Sequence, residues 1–347
     1  MTITLQTKSG EFEVEADAGE PLLHAGLRAG LDLPYECATG TCGTCRGRVM
    51  TGDVDAGWPD APGAARLKRE KGDVLMCQAI AAGDCLLRVP SKTPRLEGPA
   101  DLPRLHKGQI EVIACLTHDV IHIEVAISEP VTFEAGQFMV VAAPGVTGGR
   151  AYSMVNYAEQ TERLVFVIKR KPGGGFSDWL FESDVIGATV DLFGPLGKAT
   201  FKADEASDLL CVTGGSGIAG IMSILGRAMK ADHFTRHRGQ LFFGVRTLAD
   251  GFYLHQLASM VDRADGALDV TLVLSDEAST STAHPSFPQL RLADGFVHQA
   301  AARLLNGVGE NTIGFVAGPP PMVDGAIRML IGEAGFSPQR IRYDKFS

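Results

Sequence analysis

Residues 36–47 read Glu36-Cys37-Ala38-Thr39-Gly40-Thr41-Cys42-Gly43-Thr44-Cys45-Arg46-Gly47, and Cys77 follows with thirty-one residues between it and Cys45. The spacing C-x4-C-x2-C with one distant cysteine supplies four thiolates, and each iron of a two-iron cluster needs two. Gly40, Gly43 and Gly47 let the backbone wrap closely around such a cluster and turn N–H groups toward its sulfurs. Zinc competes, because Cys42-x2-Cys45 alone would suit it. A zinc ribbon presents two such pairs, however, and Cys77 has no partner at that spacing. Buried structural thiols are the other reading, but three cysteines in nine residues of a Gly/Thr loop are poor core material. A [2Fe–2S] site on Cys37, Cys42, Cys45 and Cys77 is therefore expected, with Cys85, Cys115 and Cys211 read as buried small apolar residues.

Ahead of this loop, Ile3-Thr4-Leu5-Gln6 and Phe12-Glu13-Val14 alternate around Ser9-Gly10, which predicts a hairpin. Pro21 opens a helix through Leu22, Leu23, Ala25 and Leu27 that Gly30 stops. Short strands are expected near Arg48 and Leu86. Behind them, residues 91–107 (SKTPRLEGPADLPRLHK) carry three prolines and many charges, the texture of a linker. From Gln109 to about Thr200, short alternating strands such as Ile121–Val125 and Leu164–Ile168 are separated by Gly/Pro turns. That spacing predicts an antiparallel barrel, with one helix after Phe176. From Asp208 the texture changes. Continuous apolar runs such as Leu209–Val212 and Val270–Leu274 alternate with helical stretches, as in a parallel sheet covered on both faces. The expected organisation is a cluster domain over 1–97, a linker over 98–107, a barrel over 108–204 and a parallel α/β domain over 205–347.

Two constellations in the barrel suit a flavin. In Arg150-Ala151-Tyr152-Ser153, the arginine can neutralise a pyrophosphate, the tyrosine can cover a ring face and the serine can hydrogen-bond a ring edge. Gly173-Gly174-Gly175-Phe176-Ser177 opens a helix whose N–H groups can face a phosphate. In the last domain, Gly214-Gly215-Ser216-Gly217-Ile218-Ala219-Gly220 follows a buried strand and opens a helix, which is where a dinucleotide pyrophosphate would rest. Ala317-Gly318-Pro319-Pro320 can shape a nicotinamide pocket, and Phe346 is suited to stack on a flavin. Each motif alone also fits an ordinary turn, strand end or core position. His118 and His122 lie four apart in a strand-like segment and read as surface residues.

A net charge of −9 argues against a general nucleic-acid binder. No apolar run reaches the length of a membrane span, and the start of the chain shows no signal peptide, so a cytoplasmic protein with no membrane partner is expected.

These residues together resemble the ferredoxin–NADP reductase superfamily, specifically the reductase components of bacterial multicomponent oxygenases. The likeness covers nearly the whole chain, and Pro34-Tyr35-Glu36-Cys37 through Cys45 with Gly57-Trp58-Pro59-Asp60-Ala61-Pro62-Gly63 is most similar to reductases of toluene-type diiron monooxygenases. The resemblance implies a multidomain α+β and α/β chain: a β-grasp plant-type ferredoxin domain, a flavin barrel and a Rossmann-like nicotinamide domain. It implies electron transfer from NADH through FAD to the [2Fe–2S] cluster and on to an oxygenase, directly or through a separate ferredoxin. It places the flavin motif on Arg150, Tyr152 and Ser153, the pyrophosphate turn on Gly174, Gly175, Phe176 and Ser177, and the nicotinamide motif on Gly214, Gly215 and Gly217. Gly318 and Pro319 fall in the second nicotinamide turn, and Phe346 matches the flavin-shielding aromatic. Two departures stand out: Gly220 replaces a proline, and Ala317 replaces a cysteine. Asp276-Glu277 would repel a ribose phosphate while Arg246 could attract one, which favours NADH over NADPH. The expected acceptor is a diiron hydroxylase. The alternatives are the reductase of a Rieske dioxygenase or of a sugar-deoxygenating metalloenzyme, or a metal-binding sensor whose flavin domain has decayed.

Overall fold

The alternation at the start of the chain does produce a hairpin. In the computed structural model, which describes residues 1–96, 102–182, 184–202, 204–279, 281–305 and 308–345, β1 (Thr2–Thr7) pairs antiparallel with β2 (Gly10–Glu15). Ile3 and Leu5 point into the core while Thr2 and Thr4 face outward, the period of two that one buried sheet face demands. Helix α1 (Leu22–Arg28) follows Pro21 and buries Leu22, Leu23, Ala25 and Leu27. Gly30, at φ +79°, takes the left-handed turn that ends it. Strands β3 (Arg46–Thr51), β4 (Val54–Asp55), β5 (Asp73–Leu75), β6 (Ile80–Ala81) and β7 (Cys85–Arg88) complete this part. The five-stranded sheet runs β2-β1-β7-β3-β5, with β1 and β7 parallel and the other pairs antiparallel. Cys37, Cys42 and Cys45 lie in the loop before β3, and Cys77 lies just after β5.

The next strands are β8 (Arg104–Cys115), β9 (Val120–Val131), β10 (Phe138–Ala142), β11 (Arg150–Ser153), β12 (Thr161–Lys169) and β13 (Thr189–Leu196), with α2 (Gly175–Glu182) before β13. Their sheet order is β11-β10-β13-β8-β9-β12. Met154, just past β11, bridges antiparallel to Phe166 of β12, so the first and last strands of the sheet meet and the sheet closes. Phe138, Phe166 and Phe201 are fully buried, each contributing about 1.5–3 kcal/mol of burial free energy.

The remaining elements are β14 (Asp208–Gly214), α3 (Ile218–Lys230), β15 (Gly239–Val245), α4 (Leu254–Arg263), β16 (Leu268–Leu274), β17 (Arg291–Asp294), α5 (Val297–Leu304), β18 (Thr312–Gly318), α6 (Pro320–Gly332) and β19 (Ile341–Lys345). Their sheet order, β17-β16-β15-β14-β18-β19, is parallel throughout. Strands β14 and β18 are buried along their length, as expected of a sheet with helices on both faces. The strand order reverses between β14 and β18, which creates a switch point at their carboxyl ends.

The chain divides into two compact units: Met1–Lys107 with Met139–Ala151 and Asp191–Leu196, and Gly108–Phe138 with Tyr152–Val190 and Gly197–Ser347. Strand β8 begins at Arg104, inside the stretch expected as linker; residues 98–101 of that stretch lie outside the described residues. Phe346 lies outside them as well. Two sequence readings are corrected. Cys115 is exposed, because it ends β8 at a turn rather than packing inward. His122 is half-buried on β9, where Nδ1 lies 2.9 Å from the Tyr253 hydroxyl and Nε2 3.3 Å from Glu124 Oε1, while His118 sits in the β8–β9 turn. Among the described residues, no helix is long and apolar enough to cross a membrane.

Candidate functional site

The cysteine loop is built on backbone that only small residues allow. Gly40 and Gly43 adopt φ of +87° and +81°, and Ala38 is held at +54°. A Cβ on Gly63 would stand 2.7 Å from the Gly43 nitrogen and 2.8 Å from the Gly40 oxygen. Gly63 N–H donates to Gly40 O at 2.9 Å and so braces the loop from outside. Gly47 acts differently from Gly40 and Gly43. It lies within β3, and a Cβ there would press on Met76 at 3.1 Å.

The four cysteines meet as two pairs. The Cys42 thiol donates to Cys37, holding Cys37 well below the usual thiol range and raising Cys42. Cys45 likewise donates to Cys77, which raises Cys45 and lowers Cys77. The N–H groups of Thr39 and Cys42 point at Cys37 Sγ, each at 3.4 Å, and Thr44 N–H points at Cys42 Sγ at 3.5 Å. The Gln78 side-chain amide lies 3.6 Å from Cys77 Sγ. Two pairs of thiols, each sulfur approached by N–H donors, is the donor set of a two-iron cluster, so the residues fit the group. Cys37, Cys45 and Cys77 are buried, whereas Cys42 is exposed. Sequence reading carried Gly63 only as part of the resemblance and missed Gln78; the roles of both depend on contacts across the loop.

In the flavin region, Arg150, Tyr152 and Ser153 share β11. Tyr152 leans on Phe176 of α2, with ring centroids 5.5 Å apart. Ser153 Oγ is buried without a hydrogen-bond partner, an atom left waiting for a ligand donor or acceptor. Gly220, where the resemblance expects proline, faces this hydroxyl, and a Cβ there would make ordinary contact at 3.5 Å, so the site tolerates more than glycine. At the start of α2, Ser177 Oγ accepts from Lys171 N–H at 3.1 Å and sits 3.1 Å from the Lys171 and Gly174 carbonyls. The hydroxyl therefore closes the turn, and the first-turn N–H groups remain for an anion. Gly174 has no room for a side chain: a Cβ would lie 2.7 Å from Lys171 O. The orphaned serine and the pre-shaped helix start fit FAD.

A cavity of about 530 Å³ opens at the switch point. Its floor is Gly214, Gly215 and Ser216 at the end of β14 and Pro319, Pro321 and Met322 after β18. The two turns are locked together, since Thr213 Oγ1 donates to Ala317 O at 2.9 Å. A Cβ on Gly217 would come within 2.4 Å of that same oxygen. Arg246 just after β15 and Ser275 after β16 line the wall, together with Phe296, which is 60% exposed. Asp119 and Lys169 reach the cavity from the barrel hairpins. Nothing in the sequence signalled Asp119, which lies 127 positions from Arg246. Ala317 is buried in β18 directly before the Gly318 turn.

Residues 4–82 match the 2Fe-2S iron-sulfur cluster binding domain, 107–201 the oxidoreductase FAD-binding domain and 211–328 the oxidoreductase NAD-binding domain. The chain is 35% identical to a ferredoxin–NAD(P)+ reductase of Metapseudomonas resinovorans over 97% of this chain and 98% of that one. It is 34% identical to the ferredoxin–NAD+ reductase component of an alkene monooxygenase system from Xanthobacter autotrophicus, over 94% and 95%. It is 30% identical to the electron transfer component of a Pseudomonas putida xylene/toluene monooxygenase, over 99% and 93%. The solved structure of a ferredoxin reductase in carbazole 1,9a-dioxygenase superposes with a TM-score of 0.82 at 31% identity, covering 100% of this chain and 99% of that one. The chain is thus an oxidoreductase that uses FAD, a [2Fe–2S] cluster and a nicotinamide nucleotide. At 30–35% identity over at least 93% of both chains, this chain belongs to the ferredoxin–NAD(P)+ reductase family that serves multicomponent oxygenases.

Proposed function

We propose that this chain draws electrons from NADH and delivers them at the Cys42 face to an oxygenase component, a diiron hydroxylase in the first instance. One observation carries the exit point: Cys42 is the exposed member of the four-cysteine set. Electron transfer falls off steeply with distance, so the partner docks where least protein intervenes. Arg46, exposed beside the loop, lies on that face. In this reading Cys37 and Cys42 hold one iron, and Cys45 and Cys77 the other. The cluster domain runs to about residue 97, the flavin barrel spans 108–204 and the nicotinamide domain 205–347.

Bound FAD supplies the conversion of a two-electron hydride donor into one-electron deliveries. The chain's own residues do the positioning. Arg150 and the first turn of α2 neutralise the pyrophosphate, Tyr152 covers a ring face, and the Ser153 hydroxyl gains its missing partner at the ring edge. Gly215 and Gly217 bring the opening of α3 close to the nucleotide phosphates. Gly318 and Pro319 shape the nicotinamide end. Ala317, buried in β18 just ahead of that turn, leaves out the thiol that the resemblance leads one to expect, which bears on the rate of hydride transfer and not on its class.

The reading is tested by anaerobic reduction of two purified acceptors, a diiron hydroxylase and a Rieske-type ferredoxin, with ferricyanide as a small-molecule control. Faster reduction of the diiron protein is expected, with Arg46→Glu lowering the ratio of protein to ferricyanide reduction about tenfold. A clear preference for the Rieske-type ferredoxin would favour the dioxygenase alternative, to which the carbazole dioxygenase relative lends support.

A further inference from the structure

The nucleotide cavity contains two cations and two carboxylates, and they are committed to one another. Arg246 Nη2 lies 3.2 Å from Asp119 Oδ2 and 3.5 Å from Asp250 Oδ1. Lys169 Nζ lies 3.2 Å from the same Asp119 oxygen. Asp119 belongs to the β8–β9 turn, so a barrel hairpin supplies the carboxylate that meets the nucleotide strands. It is well anchored: Thr117 Oγ1 donates to its Oδ1 at 3.2 Å, and Arg170 N–H donates to its carbonyl at 2.7 Å. Asp250 is fixed too, because the Thr247 N–H and hydroxyl donate to its Oδ2 at 3.0 and 2.9 Å. The carboxylates hold their places, and the longer cationic side chains come to them.

NADPH differs from NADH by a phosphate on the adenosine 2′ oxygen. A cavity that selects for this dianion needs a guanidinium or ammonium with uncommitted donors. Arg246 is the arginine of this cavity, and its carbonyl accepts from Asp276 N–H at 2.8 Å, beside the cavity-lining Ser275. We propose that Asp119 is a specificity-determining residue that withholds Arg246 from a 2′-phosphate by keeping it in a closed ion pair. The inference rests on reading the cavity as the NADH site. Asp276 opposes the same phosphate by a separate route: its Oδ1 takes the Ser275 hydroxyl at 2.8 Å, and it repels as a charge. Asp119 acts by sequestration. Asp250, farther from Arg246 and already bonded to Thr247, is the weaker hold.

The test compares wild type, Asp119→Asn, Arg246→Gln and the double variant as holoproteins. Calorimetry gives the affinities for 2′-AMP and 5′-AMP, and cytochrome c reduction gives kcat/KM for NADPH and NADH. In Asp119→Asn, 2′-AMP should bind about tenfold more tightly relative to 5′-AMP, and the NADPH-to-NADH ratio should rise about tenfold through KM. The gain should shrink as potassium chloride is raised, since a freed surface arginine is screened. It should vanish in the double variant, and Arg246→Gln alone should leave the 2′-to-5′ ratio near wild type. An unchanged ratio in Asp119→Asn, including a joint fall in NADH and NADPH efficiency, overturns the inference. So does a gain that survives whole in the double variant, which would make Asp119 a simple repelling charge or assign the gain to the freed Lys169. If 5′-AMP binds and the 2′ gain is missing, sequestration alone fails; if neither isomer binds any form, the cavity reading fails with it.

Discussion

His24 of α1 and Phe193 of β13 lie face to face, with ring centroids 3.7 Å apart and planes within 4°. The imidazole Nε2 is buried without a partner, although the residue as a whole is only half-buried. Burial pushes the His24 pKa down from 6.5 to about 4, against a smaller upward pull from Glu20. A histidine whose folded pKa is depressed binds fewer protons folded than unfolded between those values, so stability rises with pH through that window. The first unit should therefore lose stability as pH falls from about 6.5 to 4, by at most ~3 kcal/mol from this group. Urea melts at stepped pH should show that slope in wild type and a shallower one in His24→Leu. Equal slopes would contradict the account of His24.

Gly63 explains why the cluster loop needs a glycine twenty residues downstream of its own. Because a Cβ there would stand 2.7 Å from the Gly43 nitrogen and 2.8 Å from the Gly40 oxygen, Gly63→Ala must move the loop backbone. Overpacking of this kind costs about 1–3 kcal/mol. The visible absorbance of the variant should bleach about tenfold faster in mild denaturant, while its flavin content matches wild type. Bleaching at the wild-type rate would show that the loop has slack.

Ser153 provides a test of the flavin site that separates binding from folding. Its buried hydroxyl has no partner within the protein, so Ser153→Ala removes an unsatisfied group from the apoprotein. The apoprotein of the variant should be at least as stable as wild type in thermal melts. Its dissociation constant for FAD should rise about tenfold, the equivalent of one hydrogen bond of about 1.4 kcal/mol. Unaltered FAD affinity would remove Ser153 from the site.

The four-cysteine set was legible as a candidate site because metal chelation ties residue type to short spacing, and three of the four cysteines fall within nine residues. The parallel sheet was legible for a related reason: strands buried on both faces, such as Leu209–Val212, leave continuous apolar runs. Cys115 was misread because alternation does not announce where a strand leaves the core. His122 was misread because its partner Tyr253 arrives from just ahead of α4, 131 positions away. Asp119 gave no signal in its own neighbourhood; only the fold brings it to Arg246 and Lys169. Covalent and local constraints leave marks in sequence, whereas ion pairs closed across domains do not.

The most direct measurement is iron and acid-labile sulfide per chain in protein purified without oxygen, together with the spectrum after NADH is added. Two irons and two sulfides per polypeptide are expected, with both the flavin and the cluster bleached by NADH, and Cys77→Ser should lose the cluster yet stay yellow. A yellow wild-type protein lacking sulfide, or one binding a single zinc at the four cysteines, would contradict the account.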